Sequence, residues 1–256
     1  MTFSFFLEKI RLPQWGEVYY AEEVTSTNDV AAQLYKQGEP LFTAVWANAQ
    51  SQGRGRLGRT WQTYPDVGLA FSVVVPECGH LLPIIVSVCL HKALSRFAED
   101  RLAQNLTIKW PNDILIGEKK LAGILVESHT DCEGKRFYVV GVGLNVCAPP
   151  QGFVDAPNAE ALNQICQAVP ERSFVLATIL QELQKNLDLP PQNDKDADII
   201  NYYKTHCDTF GKRITWHDGE KAIDGIARDI TPKGHLVLET DKDEITCHVG
   251  EVIVHK

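Results

Sequence analysis

The chain has 256 residues, of which 44% are hydrophobic. This is enough to bury a full core, so we expect a folded and not a disordered protein. Its formal net charge of −8 gives no overall basic field that would attract nucleic acid or an anionic membrane. The seven cysteines include no C-x-x-C pair, which argues against a disulfide framework or a zinc ribbon. We therefore expect reduced thiols in a cytoplasmic protein whose partners include neither nucleic acid nor membrane.

The apolar segments are too short or too interrupted to act as a signal sequence or a membrane span. Glu8, Lys9 and Arg11 interrupt the apolar start of the chain, and no small-residue cleavage site follows. The longest apolar run, residues 81–94, contains a histidine and a lysine and is shorter than the roughly 20 residues that a span needs. That run is typical of a buried helix.

The sequence up to about residue 207 predicts a layered domain of strands and helices. A strand at 18–24 leads through Thr25-Ser26-Thr27 into a short helix that ends at Gly38. Further strands are predicted from apolar runs at 41–47, 68–75, 106–110, 121–127 and 137–146. Helical spacing predicts helices at 81–99, 159–168, 174–187 and 197–205.

The sequence changes character near Asp208. Short alternating runs are separated by turn sequences such as Asp-Gly and Pro-Lys-Gly, a pattern that predicts a small antiparallel barrel with strands at 213–216, 221–229, 235–239 and 244–249. We therefore expect two domains, residues 1–207 and residues 208–256.

Residues 53–59 read GRGRLGR and place three arginines and three glycines in seven positions. Glycines let a backbone approach a ligand closely, and guanidinium groups bind phosphate or carboxylate oxygens two at a time. This arginine loop is therefore expected to close over an anion and to be mobile when empty. A solvated turn and an RNA-binding arginine-glycine segment are the alternatives, although RNA segments of that kind usually repeat.

Three weaker patterns follow the arginine loop. Residues 109–113 (KWPND) end a strand in a turn that would present polar groups at a cleft. Lys119 and Lys120 lie in a predicted hairpin turn, where ordinary solvated lysines are an equal alternative. Residues 141–145 (GVGLN) resemble half a dinucleotide fingerprint that lacks its third glycine. The sequence contains no phosphate-binding P-loop, no H-E-x-x-H and no G-x-S-x-G.

Five motifs in this order resemble the biotin protein ligase family: TSTN (25–28), QxxGRGRxGRxW (50–61), KWPND (109–113), KLAGIL (120–125) and GxGxN (141–145). The resemblance covers about residues 20–146. It implies an α+β fold in which a mixed sheet packs with helices, as in class II aminoacyl-tRNA synthetases and biotin ligases, with an SH3-like barrel at the C-terminus. About twenty-four residues precede TSTN, too few for the DNA-binding domain of many bacterial relatives, so no repressor role is expected.

The same resemblance implies roles for individual residues. Biotin would contact Ser26, Thr27, Asn28, Gln50, Gly53, Arg54, Gly55, Arg56, Lys120 and Gly123. ATP and the adenylate would contact Arg56, Arg59, Trp61, Asn112, Lys120 and Asn145. The groups expected to act in catalysis are Lys120, Arg54, Arg56 and Asp113. Gln50 and Gln52 compete for the family's glutamine, and the spacing to Gly53 favours Gln50.

The reaction implied by the resemblance has two steps. Biotin and ATP form biotinyl-5′-adenylate with Mg²⁺ present, and a lysine of a biotin carboxyl carrier domain then takes the biotin. Asp113 is the carboxylate expected to assist the acceptor lysine, although it could simply stabilise its turn. The metal ligands are not identifiable from the sequence, and exposed sheet edges allow a homodimer. The alternatives are a lipoate or octanoate ligase or transferase, a relative without catalysis, and a nucleic-acid-binding module that uses the arginine loop.

Overall fold

The computed structural model describes residues 6–12, 15–77, 79, 81–187, 193–217, 219–248 and 250–255, with only the backbone for 193–195. Its larger sheet has eight strands in the order β1-β2-β3-β4-β8-β7-β6-β5. All neighbours pair antiparallel except β2 and β3, which are parallel, so the sheet is mixed as expected. The strands are β1 Glu8–Leu12, β2 Gly16–Val24, β3 Ala44–Gln50, β4 Gly68–Val75, β5 Leu106–Lys109, β6 Asp113–Ile116, β7 Lys119–Thr130 and β8 Arg136–Asn145.

Helices cover both faces of this sheet. They are α1 Thr27–Lys36, α2 Leu82–Ser95, α3 Asp100–Ala103, α4 Arg172–Leu187 and α5 Asn193–His206. Side chains alternate between the faces of a strand, so Val45 and Ala47 of β3 pack in the α1 layer while Ala44 and Trp46 pack in the α2 layer. Helix α2 is apolar nearly all round because it lies between the sheet and α4.

The C-terminal sheet has five antiparallel strands in the order β12-β11-β10-β9-β13. They are β9 Arg213–His217, β10 Ala222–Ile230, β11 Leu236–Glu239, β12 Glu244–Cys247 and β13 Glu251–Val254. Strands β9 to β12 lie close to the four predicted ranges, but β12 and β13 remain at opposite edges in the described part of the chain, so the expected barrel is not closed. Strand β13 was not predicted, and the predicted strand 244–249 ends at Cys247.

The prediction of a helix at 159–168 is wrong, since this segment forms only a short 3₁₀ turn at Leu162–Gln164. Its backbone N–H groups serve neighbouring strands instead. Glu160 N donates to Lys120 O (2.9 Å), and Asn163 N donates to Val146 O (3.0 Å). In a helix that starts at residue 159, Asn163 N would instead bond to the carbonyl of residue 159, so tertiary contacts override the helical spacing.

No helix in the described part of the chain is long and apolar enough to cross a membrane.

Candidate active site

A cleft of about 900 Å³, including its mouth, lies where the start of α1, the arginine loop, β6, β7, β8 and the start of β13 meet. Most residues that the sequence predicted for the site line it: Ser26, Thr27, Asn28, Gln50, Arg54, Gly55, Arg56, Arg59, Trp61, Asn112, Asp113, Lys120 and Gly123. Gly53 and Asn145 do not line the cleft. Glu251 and Val252, from the C-terminal sheet, were not predicted to line it.

Gln50 lines the cleft next to the first turn of α1. Its Oε1 accepts hydrogen bonds from the backbone N–H of Thr27 (2.8 Å) and from Thr27 Oγ1 (3.1 Å). The first N–H groups of a helix have no partner within the helix, and Gln50 satisfies one of them. Gln52 is exposed and lies outside the cleft, so the geometry favours Gln50 over Gln52.

A series of hydrogen bonds between buried side chains fixes the TSTN segment on the side away from the cleft. Ser72 Oγ lies 2.7 Å from Thr27 Oγ1 and 2.6 Å from Asn28 Oδ1. Asn28 Nδ2 donates to a carboxylate oxygen of Glu127 at 2.6 Å. Ser72 and Glu127 were not predicted as site residues, because Ser72 lies in a strand without a motif and Glu127 lies on β7 beyond the last residue of KLAGIL. Their bonds fix Thr27 and Asn28 beside the cleft.

Glycines on β7 and β8 leave space for the side chains of two site residues. A methyl group added to Gly141 would overlap the Asn28 amide, and one added to Gly143 would overlap the Trp61 indole. A methyl group on Gly123 would come within 3.0 Å of Lys120 Nζ and 3.2 Å of Trp61. The glycines of GVGLN are therefore the contact surface for Asn28 and Trp61, which explains the motif without a dinucleotide.

Arg54 is held by two carboxylates at the edge of the cleft. Its guanidinium makes two 2.7 Å bonds to Asp29 and lies 3.3 Å from both oxygens of Glu127. These partners raise the pKa of Arg54, chiefly through the bonds to Asp29. Asp29 follows TSTN directly, a position the sequence could have indicated, whereas Glu127 is far away in the chain. The interaction anchors one end of the arginine loop to α1.

Arg56 and Arg59 contact other elements of the cleft. Arg56 donates to Asn112 Oδ1 at 3.1 Å and to the carbonyl of Gly250 at 2.9 Å. Burial lowers the pKa of Arg56, while the charges of Asp113 and Glu251 oppose this effect. Arg59 forms a two-pronged ion pair with Glu251, with Nη2 to Oε2 at 2.6 Å. Two cationic groups thus face the cleft from the loop that was predicted to bind an anion.

Lys120 points into the cleft and Lys119 points away from it. Lys120 Nζ lies 2.7 Å from Asp113 Oδ1 and 5.7 Å from the ring centre of Trp61. Lys119 Nζ lies 3.2 Å from Glu160 on the outer side. Adjacent residues in a strand face opposite ways, so only one of the two lysines reaches the site. Lys120 is therefore not an ordinary solvated hairpin lysine.

Gly53 and Asn145 support the site from outside the cleft. The carbonyl of Gly53 accepts a 2.9 Å bond from Trp61 N, and a side chain at Gly53 would overlap the Trp61 carbonyl. Asn145 donates to the carbonyl of Glu160 at 3.0 Å, and Glu160 in turn bonds the backbone of Lys120. The expected nucleotide contact of Asn145 stays a prediction.

The sequence matches the Biotin/lipoate A/B protein ligase family over residues 20–145 and the biotin protein ligase C-terminal domain over residues 209–254. The fold and site agree with this match, and the chain belongs to this family. The resemblance stated from the five motifs is thereby confirmed.

Relatives of known name are similar over nearly the whole chain. The biotin–[acetyl-CoA-carboxylase] ligase of Mycobacterium tuberculosis is 30% identical over 248 residues, covering 93% of this chain and 89% of that protein. The corresponding ligase of Paracoccus denitrificans is 31% identical, covering 83% of this chain and 91% of that protein. The structure of the Aquifex aeolicus biotin protein ligase in complex with biotin and ATP aligns with a TM-score of 0.75 and 25% identity, covering 93% of this chain and 97% of that one.

Proposed function

We propose that this protein is a biotin protein ligase that makes biotinyl-5′-adenylate from biotin and ATP and transfers the biotin to a lysine of a biotin carboxyl carrier domain. One observation carries the proposal: Lys120, Arg56 and Arg59 face the same cleft in which Thr27 and Gln50 present neutral polar groups. A site with a cationic end and a neutral polar end suits an acid with a polar head group that reacts with a nucleotide. The names of the relatives support the same activity.

The neutral end of the cleft suits the ureido ring of biotin. Ser26, Thr27, Asn28 and Gln50 offer hydroxyl and amide groups, which donate and accept hydrogen bonds without adding charge. Gly123 and Trp61 line the same cleft beside Lys120 and add apolar surface to it. A small number of placed polar groups in a partly apolar pocket is the usual basis of small-ligand specificity.

The cationic end suits the reaction between two anions. A carboxylate oxygen of biotin attacks the α-phosphorus, the bond to the β-phosphate oxygen breaks, and pyrophosphate leaves. Arg56 and Lys120 stabilise the charge that develops, and loss of one such donor costs about 3 to 4 kcal/mol in comparable sites. Alignment of the two substrates contributes up to about 7 to 11 kcal/mol.

Arg54 has a different part in this proposal from the one predicted. Its guanidinium is bound by two carboxylates, Asp29 and Glu127, whereas Lys120 is paired with one, Asp113. We assign it to anchoring the arginine loop over the bound acid, where the backbone of Gly55 closes the cleft. Arg56 and Lys120 remain the residues that act on the reacting phosphate.

The second step needs a neutral amine on the acceptor lysine. With a reference pKa near 10.4, only about 0.1% of a lysine is neutral at pH 7.4. Asp113 is a cleft carboxylate that can accept a proton or orient the amine, and it also holds Lys120 at 2.7 Å. The amine attacks the acyl carbon of the adenylate, the bond to the phosphate oxygen breaks, and AMP leaves.

Mg²⁺ fits this site as an ion carried by ATP. No group of three His, Cys, Asp or Glu side chains that could hold a metal occurs among the residues the structure describes. The cleft carboxylates of Asp113 and Glu251 are each paired with a cationic side chain. Mg²⁺ usually binds one or two carboxylates together with substrate phosphates and waters. Bound in that way, it would neutralise phosphate charge.

The organisation of the protein completes the proposal. We propose a domain of residues 1–207 that binds biotin and ATP, and a smaller domain of residues 208–256. We place the protein in the cytoplasm and propose neither a nucleic-acid nor a membrane partner. Strand β1 forms one edge of the described sheet, whereas the outer edge of β5 is covered by residues 207–209. We propose a homodimer at the β1 edge, measurable by sedimentation velocity.

The first step can be tested alone by ATP–pyrophosphate exchange. We expect exchange of labelled pyrophosphate into ATP that depends on biotin and Mg²⁺, with no carrier domain present. Lipoate and octanoate serve as matched acids in parallel reactions. Exchange with lipoate or octanoate but not with biotin would contradict the proposed substrate.

A further inference from the structure

The arginine loop is fixed to the C-terminal sheet as well as to the larger sheet. Arg56 donates to the carbonyl of Gly250, and Arg59 pairs with both carboxylate oxygens of Glu251. Gly250 and Glu251 lie at the start of β13, some 190 residues after the loop in the chain. These contacts join two segments that the five sequence motifs do not connect.

The start of β13 is a rigid support. Glu251 pairs with His217 and Val252 pairs with Trp216 in the adjacent strand β9. Gly250 has φ +140°, and a side chain there would overlap His217 O and Trp216 Nε1. Because glycine alone fits this backbone, the Gly250 carbonyl has a defined direction toward Arg56. The Glu251 side chain is 26% exposed, against 66% for Arg59.

We infer that Glu251 is a positioning residue for nucleotide binding, which holds the guanidinium of Arg59 at the mouth of the cleft. This inference rests on the proposed function, in which Arg59 faces the cleft and is expected to contact ATP. A guanidinium has five N–H donors, and Glu251 occupies two of them. The remaining donors are free to bind phosphate oxygens while Glu251 keeps the long side chain in one conformation. The C-terminal sheet thereby contributes to the nucleotide site without touching the nucleotide.

The test is a double-mutant cycle of Glu251→Gln and Arg59→Gln. The affinity for Mg²⁺ and α,β-methylene-ATP is measured by calorimetry, with and without biotin. Glutamine keeps the shape of Glu251 but not its charge, and exposed ion pairs are worth at most about fivefold in an equilibrium constant, so we expect nucleotide binding about three- to fivefold weaker. In the Arg59→Gln background, Glu251→Gln should change the affinity no further, because its effect passes through Arg59.

Matched controls separate positioning from general stability. Glu239 lies in the same sheet and pairs with Arg228, so Glu239→Gln should leave nucleotide affinity unchanged. Biotin affinity and the melting temperature of Glu251→Gln should also stay at wild-type values. The inference would be overturned if Glu251→Gln bound the nucleotide more tightly than wild type. It would also be overturned if the double variant lost affinity by the product of the two single losses.

The outcome is distinguishable from a failure of the proposed function. Wild-type protein that binds the ATP analogue but makes no biotinyl-adenylate would contradict the function, while the cycle would still measure whether Glu251 acts through Arg59. Wild-type protein that makes the adenylate, combined with unchanged nucleotide affinity in Glu251→Gln, would contradict the positioning role alone.

Discussion

Lys119 and Lys120 are adjacent in the chain and differ in one respect, the side of the sheet that each faces. Lys120 reaches Asp113 inside the cleft and Lys119 reaches Glu160 outside it. We predict that Lys120→Ala lowers the rate of adenylate formation by about 10²- to 10³-fold, as loss of one charge-stabilising donor does elsewhere. Pyrophosphate exchange measures this rate.

Lys119→Ala is the matched control for this prediction. It removes the same charge from the neighbouring position and should leave the exchange rate within about twofold of wild type, since an exposed ion pair contributes little. Both variants should unfold at wild-type urea concentrations. Normal adenylate formation by a folded Lys120→Ala variant would contradict the assignment.

Asp113 has a contact that the sequence did not indicate, its 2.7 Å ion pair with Lys120. An aspartate that served only as base for the acceptor would, when changed to asparagine, slow transfer and spare adenylation. Because Asp113 also holds Lys120, we predict that Asp113→Asn slows both steps, with the larger loss in transfer. Single-turnover reactions that start from biotin and ATP, or from preformed biotinyl-adenylate, separate the two rates. An adenylation rate equal to wild type would show that the ion pair is dispensable.

The motifs predicted most residues that line the cleft but few of the residues that hold them. In short motifs such as TSTN and GRGRLGR the functional residues are adjacent in the chain, so the motif can be recognised from the sequence alone. Glu127 and Glu251 act through pairing with Arg54 and Arg59 across 73 and 192 positions of the chain. A lone glutamate in a strand has no local signal for such a partner.

Strand β8 and the segment that follows the arginine loop fit together through Gly143 and Trp61. A methyl group at Gly143 would overlap the indole, and overpacking of this kind typically costs about 1 to 3 kcal/mol. We predict that Gly143→Ala lowers the free energy of unfolding by that amount and weakens biotin binding. Urea denaturation measures the first effect and calorimetry the second.

The Trp61→Ala variant tests whether the indole causes this cost. With the ring removed, the added methyl group has space, so Gly143→Ala should cost little in that background. An equal loss of stability with and without Trp61 would mean that the glycine serves the strand backbone and not the indole.

Helices α2 and α5 meet at His91, which is 2% exposed. Its Nε2 lies 3.0 Å from the carbonyl of Leu106, its Nδ1 lies 2.9 Å from Tyr202 Oη, and the His206 ring packs beside it. Burial, opposed by the bond to Leu106, lowers the pKa of His91 to about 4. The folded protein therefore keeps this ring neutral at pH values where the unfolded chain protonates it.

The sign of the resulting pH effect follows from proton binding. Between pH 6.5 and 4 the unfolded chain binds a proton at His91 that the folded protein does not, so stability falls as pH falls. We predict that His91 accounts for a loss of about 2 kcal/mol between pH 7 and pH 5. Urea unfolding of wild type and His91→Gln at both pH values measures it, and the variant should lose that much less. Identical losses in the two proteins would refute the prediction.

The sequence predicted those helices and strands whose apolar pattern matches one buried face. It failed for segments whose conformation is set by hydrogen bonds to residues distant in the chain. Helix α1 and strands β4 and β8 lie close to their predicted ranges because their apolar patterns match their own buried faces. Strand β6 was missed because Asp113 was assigned to the KWPND turn and residues 114–116 were assigned to no element. Residues 159–168 have helical spacing, but Lys120 and Val146 occupy their backbone groups.

The two sheets share one hydrophobic cluster at the scale of the whole molecule. Leu236 and Leu238 of the C-terminal sheet belong to the same cluster as Leu82 and Ile84 of α2. Trp110 Nε1 donates to the carbonyl of Gly234 at 3.1 Å, which ties the KWPND turn to the C-terminal sheet. The sequence predicted the small sheet from its turns but not this shared packing, because apolar residues do not indicate which partner they will meet.

Through these contacts the C-terminal sheet supports residues of the proposed active site. It supports the KWPND turn through Gly234 and the arginine loop through Gly250 and Glu251. Two of the motifs assigned to the larger sheet are therefore held from the smaller one. The two parts of the chain that differ in sequence pattern are therefore in contact at the proposed active site.

The most direct test of the account is the intact mass of a biotin carboxyl carrier domain after incubation with this protein and Mg²⁺-ATP. Parallel reactions contain biotin, lipoate or octanoate. We predict a single mass increment of one biotin, only with biotin, absent when the acceptor lysine is changed to arginine and absent with the Lys120→Ala enzyme. A lipoate or octanoate increment instead, or no increment with any of the three acids, would contradict the proposed function.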